Sequence, residues 1–362
     1  MNNYKLTKGN SITLDLIRGL SAQLVVVGHG ISFFGIFKSL HQPNFPWMQN
    51  IAVLIFFILS GFLITYSTLR KKDYRFSHFF ADRFSRIYTA FVPSILFVVI
   101  ADFSIKYLIP SKYYYENAFN FKTFIGNIFM LQDHPLAHSK LHMPDITSFG
   151  TARPFWTLAV EWWIYLFFGY LFLVIFKKKF SILSLIIFTF LSIVPIYNFI
   201  EGRGNGLTLF WIFGALVYYL ASQDILKNMK RNTKLVFLFL VITLAAFRLK
   251  ITMQEYEAIF AFSLALILLL ILDLTKNVSY SRLTTKFIKL IADYSYTLYL
   301  VHYSVLSFIV TYFDKTYSSY YLFIFGFIVS NIISFIIGYY AETKLTKKVK
   351  SYLYKLIDKN SK

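Results

Sequence analysis

Ten apolar runs, each close to the length that crosses a bilayer as a helix, dominate this sequence: roughly 12–36, 50–69, 87–109, 154–176, 180–200, 206–221, 235–249, 257–274, 295–313 and 318–341. A hydrocarbon core about 30 Å thick takes about 20 helical residues. Lipid offers no partner to backbone N–H and C=O groups, so a chain built of such runs is restricted to helices that satisfy those groups internally. With 57% hydrophobic and 15% charged residues, it has more apolar surface than one soluble core of 362 residues could hide. The expected fold is an all-α, polytopic integral membrane protein of about ten transmembrane helices.

The basic residues test the count. With both termini cytoplasmic, 26 of the 37 Lys and Arg residues fall in inside segments and 10 in outside ones, Arg18 lying within the first run. That is the asymmetry expected of a correctly counted multi-pass chain. It also accounts for the net charge of +20, because the cations sit in short loops and not on one folded face; nucleic acid is not expected as a partner. The polar start, MNNYKLTKGN, precedes an apolar run without a small-residue cleavage site, so that run is expected to stay as an anchor. The absence of cysteine excludes disulfides, thiolate nucleophiles and protein-bound thioesters. Residues 1–341 are read as one transmembrane domain. Residues 342–362 form a basic cytoplasmic tail, whose lysines alternate with Leu and Tyr as in an amphipathic helix lying on an anionic leaflet. The one long outside segment, about 110–153, contains FKTFIGNIFM, apolar enough to dip into the interface.

Ionisable side chains at bilayer depth cost about 2.5–3.5 kcal/mol on insertion scales and point to a bundle interior or cavity. In RGLSAQLVVVGHG, Arg18 and His29 are eleven residues apart, so a straight helix sets them on one face with a rise of about 16.5 Å. Asp15, three residues before Arg18, can pair with it. A cation at the inner mouth and a titratable imidazole deeper in suit a route for an anionic, reactive ligand; a snorkelling arginine and a histidine bonded to a neighbouring helix suit the same spacing. In the fourth run Glu161 reaches a depth like that of His29. It either orients and activates the imidazole, as a general base requires, or partners some other helix. Arg83 and Arg86 share a face at the inner edge of the third run; arginine grips phosphate bidentately, and positive-inside anchoring produces such pairs as well. Tyr299 and His302 lie three apart in the ninth run, lining the ligand route or bonding another helix. Ser60 and Gly61 read as close helix packing in preference to a nucleophile. His134, His138 and His142 are spaced by four, but Pro135 interrupts a helix through them, and no metal site is assigned.

Taken in order, these islands resemble the acyltransferase-3 family, integral membrane enzymes that O-acylate, most often O-acetylate, glycans of lipopolysaccharide, capsule or peptidoglycan. The residues are LDLIRGLSAQLVVVGHG (14–30), FFILSGFLIT (56–65), RFSRIY (83–88), FWTLAVEWWIY (155–165) and YSYTLYLVH (294–302). The resemblance runs from about residue 11 to 340. It implies a catalytic role for His29, with Glu161 on the family's acidic position. It also implies an acyl-donor path served by Arg18, Asp15, Arg83 and Arg86, to which Tyr299 and His302 are added. The chain departs from the pattern at Leu54 and Thr89, and in having Trp162 and Trp163 after Glu161. No extracellular esterase-like domain is expected beside the membrane domain.

The resemblance implies an O-acetyltransferase of a bacterial inner membrane, with no permanently bound cofactor. Acyl-CoA, acetyl-CoA in the first place, would be the co-substrate, and a surface glycan or lipid-linked oligosaccharide the acceptor, among membrane lipids. A polysaccharide or lipid-linked sugar exporter is the alternative, since polar residues in a ten-span bundle serve translocation equally. A non-catalytic partner of a glycan synthase is a third reading.

Overall fold

A computed structural model describes residues 4–40, 42–137, 146–177, 181–202, 204–313 and 317–359. Among them the chain is helical and contains no strand. The apolar runs become α1 (Lys8–Phe34), α2 (Met48–Leu69), α3 (Phe76–Leu108), α5 (Phe155–Tyr170, prolonged by a π turn to Ile175), α6 (Ile182–Ile200), α7 (Leu207–Ser222), α8 (Arg231–Thr252), α9 (Ala258–Thr275), α11 (Ser295–Phe313) and α12 (Ser319–Tyr340). Shorter helices lie between and after them: α4 (Phe121–Ile128), α10 (Arg282–Asp293) and α13 (Thr346–Lys359). Nine helices among the described residues are long and apolar enough to cross a membrane, α12 and α13 being continuous through a π turn; α7, at 16 residues, is a shorter apolar helix. The sequence therefore places the spans well, and misjudges mainly α3, which begins eleven residues earlier than its apolar run because RFSHFFADRFSR is itself helical.

The described residues form two compact units. One contains 4–28, 37–72 and 204–292, the other 29–36, 73–202 and 293–359, so α1 contributes to the first through Gly28 and to the second from His29.

In the first unit α2 packs on α7 and α7 on α9. The α2–α7 approach rests on two glycines. A Cβ on Gly61 would lie 1.9 Å from the Trp211 carbonyl oxygen, and one on Gly214 would lie 2.0 Å from that of Ile58. Lipid tails give no hydrophobic drive between helices, so backbones that come this close gain dispersion contacts that larger residues would prevent. The Trp211 indole N–H donates to Ser60 Oγ at 3.1 Å across the same seam. In α8 the buried apolar residues are Val241, Ala245 and Leu249, one stripe at intervals of four, while Phe239, Leu240 and Phe247 are exposed. Such a helix is apolar all round and packs along one edge, as lipid-facing helices do. Charges stay at helix ends: Lys234 pairs with Asp273, Lys276 with Asp224 and Arg248 with Glu257.

In the second unit α11 packs against α12 and α3, and α5 against α3 and α6. The α12 face turned inward carries Leu322, Gly326, Ser330, Ser334 and Gly338, again every fourth residue. The basic tail forms the helix expected of it, α13, and docks on the start of α3. Asp82, buried in α3, accepts from the Tyr74 hydroxyl at 2.6 Å and from Tyr354 of α13 at 3.0 Å, and pairs with Lys350 at 2.8 Å. Asp358 of α13 faces Arg75 and His78 at 3.1 Å.

Replacing Gly61 by Ala drives a methyl group into backbone that has no flexible side chain to yield. The substitution is expected to destabilise the chain by about 1–3 kcal/mol, read as a lower thermal midpoint in detergent; an unchanged midpoint would show that the α2–α7 seam can open without cost.

Candidate active site

The last turns of α1 bring His29 into the second unit against α11. Its ring centroid lies 5.3 Å from that of His302, with 31° between the planes, and 5.1 Å from that of Tyr303, edge to face. His302 is fully buried, and its Nδ1 lies 2.9 Å from the Leu298 carbonyl one turn earlier. A carbonyl only accepts, so Nδ1 carries the proton and Nε2 presents a lone pair. That Nε2 has no hydrogen-bond partner among the described residues. Tyr299 stands one turn before His302, ring centroids 6.1 Å apart, its hydroxyl at 2.5 Å from Thr157 Oγ1 on α5. Histidine at position 29 thus has a second imidazole and a phenol as its neighbours.

Tyr303 also borders a cleft of about 640 Å³, lined with Tyr114, Tyr115, Asn117, Ala118, Thr147 and Arg153. The Tyr115 and Tyr303 hydroxyl oxygens are 3.5 Å apart. Burial first, then Tyr303, pushes the Tyr115 phenol above its ordinary range, so it stays a neutral hydroxyl at any physiological pH. The loop that leads to Arg153 is held by Asp102, fully buried near the end of α3. Its carboxylate accepts from the Thr151 amide at 2.8 Å, the Thr151 hydroxyl at 2.5 Å and the Tyr113 hydroxyl at 3.0 Å. Thr151 Oγ1 lies 2.7 Å from Ser304 Oγ, tying the loop to the helix that carries His302 and Tyr303.

A second cluster of the same unit gathers Arg83, Arg86 and Glu161. Arg86 pairs with Glu342 at 3.2 Å and lies over the Tyr296 ring, 5.7 Å from its centroid. Glu342, buried in the π turn after α12, also accepts from the Thr297 amide and hydroxyl at 2.7 and 2.9 Å. Arg83 lies over Phe79 and Tyr165, at 5.8 and 5.9 Å, and has no carboxylate within ion-pair distance among the described residues. Tyr165 in turn donates to Glu161 at 2.5 Å, one turn along α5.

Of the residues singled out in the sequence, the structure therefore brings together His29, His302 and Tyr299, and separately Arg83, Arg86 and Glu161. The carboxylate expected beside His29 is hydrogen-bonded to Tyr165; the groups packed on His29 are His302 and Tyr303. Asp15 and Arg18 form the expected i,i+3 pair at 3.0 Å in the first unit. His134 is buried, takes the Leu136 N–H on Nδ1 at 3.1 Å and packs on Trp163; His138 and His142 lie outside the described residues. Asp102 and Glu342 were missed. Asp102 is an acid inside an apolar run and answers to the same rule that picked out His29, whereas Glu342 follows the last run and looks like ordinary tail.

Two outcomes test these assignments. Glu342→Ala would leave Arg86 and the Thr297 donors unpaired and is expected to cost about 1–3 kcal/mol, with Glu342→Gln milder, both read as detergent melting midpoints. Burial lowers His134 from 6.5 to about 4. The unfolded chain therefore binds more protons between those values, and stability is expected to fall as pH drops from 6.5 to 4. His134→Gln should flatten that slope, and an unaltered slope would remove His134 as its source.

An O-acetyl transferase of Shigella phage Sf6 is 30% identical over 193 residues, 50% of this chain and 51% of the phage protein, so the match spans about half the length of that relative. No solved structure matches the chain. A family model described as "Acyltransferase domain" matches residues 11–339, which include the imidazole pair, the cleft and the arginine cluster. By that match the chain belongs to the acyltransferase family, the acyltransferase-3 group that its motifs resemble.

Proposed function

We propose that the protein is a membrane O-acetyltransferase that moves an acetyl group from cytoplasmic acetyl-CoA to a hydroxyl of a cell-surface glycan, in a bacterial inner membrane with both termini on the cytoplasmic side. The observation that carries the reading is the close packing of the His29 and His302 rings, with Tyr303 shared between that pair and an open cleft. Family membership and the phage O-acetyl transferase support the chemistry.

In this reading His29 takes the proton of the acceptor hydroxyl as its oxygen attacks the thioester carbonyl. The new C–O ester bond forms, the C–S bond breaks, and the proton passes to the departing CoA thiolate. An acetyl group carried transiently on His29 would divide the same balance into two steps. His302, its proton fixed on Nδ1 by Leu298, keeps a buried Nε2 lone pair on the ring packed against His29, and that lone pair would favour the imidazolium that forms there. It acts through another residue and is a positioning residue.

The two arginines divide the work. Arg86 is held by Glu342 and braces the site, while Arg83, over ring faces and without a carboxylate partner among the described residues, is the one available to a donor phosphate. Arg18, paired with Asp15, belongs to the other unit, and its part in the donor path rests on the family resemblance alone.

His29→Ala in the purified full chain is expected to lower ester formation from acetyl-CoA at least about a hundredfold. His302→Gln should lower kcat with little change in KM for the donor, and Arg83→Gln should raise that KM. The ester is read by NMR of the glycan product. Undiminished acetylation by His29→Ala would overturn the proposal, and glycan crossing vesicle membranes without any ester would install the exporter in its place.

A further inference from the structure

The cleft beside Tyr303 has a chemistry of its own. Arg153 is the one charged residue among its described lining residues, and no carboxylate lies within ion-pair distance of its guanidinium among the described residues. Its backbone is fixed: its N–H donates to the Thr151 carbonyl at 2.7 Å, its carbonyl accepts from the Ser148 hydroxyl at 3.2 Å, and Thr151 is clamped by Asp102. The guanidinium thus projects from a braced loop. Around it stand the Tyr115 and Tyr303 phenols, the Asn117 amide and the Thr147 hydroxyl, with Tyr114, 84% exposed, at the lip. Rings with polar tips and convergent hydrogen-bonding groups suit a ligand with apolar faces and hydroxylated edges, and an arginine with no carboxylate partner among the described residues suits an anion on it.

We infer that this cleft is the subsite for an acidic sugar, whose carboxylate pairs with Arg153 while its ring lies on the tyrosines. As the acceptor subsite it rests on the acetyltransferase reading, because Tyr303 also touches His29; as a binding site it stands on the cleft alone. Arg153 is then the residue that selects an acidic over a neutral acceptor. The phosphate of a lipid headgroup shares the anionic chemistry, but lacks the pyranose face that three tyrosines would meet.

The test uses the full chain in detergent and a glucuronate-containing disaccharide, compared by calorimetry with its uronic methyl ester, which keeps shape and hydroxyls and loses the charge. The acid is expected to bind at least about tenfold tighter than the ester, as a charge-assisted hydrogen bond supplies. Arg153→Gln should erase that ratio and Arg153→Lys should keep part of it. Raised salt, applied to the unaltered chain, should narrow the ratio even if Arg153→Gln fails to fold. Equal affinity for acid and ester, a ratio that survives Arg153→Gln, or glycerol phosphate binding as tightly as the disaccharide would each overturn the assignment. Acetyl transfer measured in parallel separates the two claims. An Arg153-dependent acid preference without transfer to either sugar would remove the acetyltransferase reading and leave the subsite. Transfer to both sugars at equal kcat/KM, with equal affinities, would remove the subsite and leave the enzyme.

Discussion

A charge or hydroxyl inside an apolar bundle must find a partner in the protein, because none is available from lipid and an unpaired group costs several kcal/mol. Each buried acid of the second unit obeys this by joining segments far apart in sequence. Asp102 binds the loop around Thr151 and, through it, Ser304 of α11. Asp82 collects Tyr74, Lys350 and Tyr354, fastening the C-terminal helix to the start of α3. Glu342 joins the end of α12 to the first turn of α11 and to Arg86. These carboxylates are few, and every one of them lies where helices meet near a functional cluster. The polar groups that the membrane makes expensive are thus the ones that fix where the candidate site's side chains stand.

This constraint also explains what could be read from the sequence. Span positions follow from a local property, the length of apolar runs, and they agree with the helices to within a few residues apart from the start of α3; even the short α7 matches its short run. Pairs on one helix are equally local, and Asp15 with Arg18 forms as the i,i+3 spacing requires. The seam at Gly61 was legible because a small residue in an apolar run has few reasons to be there except close approach; its mate, Gly214, was not. Lateral neighbours across helices are a different matter. Counting residues from the membrane surface puts Glu161 at the depth of His29, but depth leaves rotation and helix order open. The side chain that packs on His29 comes from the ninth run instead.

The tail shows a related limit. Alternating lysines with Leu and Tyr specify an amphipathic helix, and α13 is one. The same pattern says nothing about whether its polar face meets phosphate or protein. Here Lys350, Tyr354 and Asp358 meet Asp82, Arg75 and His78, so the segment that reads as a detachable basic tail braces the helix that carries Arg83 and Arg86.

Helix α11 ties the clusters into one chemistry. Tyr296, Tyr299, His302 and Tyr303 fall within about 120° of arc on it, and Tyr296 and Tyr303 are separated by about 10 Å of rise. Tyr296 lies under Arg86, Tyr299 is tied to α5 through Thr157, His302 packs against His29, and Tyr303 opens onto the cleft. Four side chains of one rigid element therefore touch, in order, the arginine cluster, the glutamate-bearing helix, the histidine pair and the cleft. Under the proposed function, a rigid spacer of this kind would fix the distance between the donor's phosphates at the arginine cluster and an acceptor in the cleft without requiring either to move, which is what transfer between a bound donor and a bound hydroxyl demands of a scaffold. It also explains why the motif at 294–302 carries aromatic residues at helical intervals: each is a contact point on a different partner, and a shift of α11 by one residue would rotate all four away together.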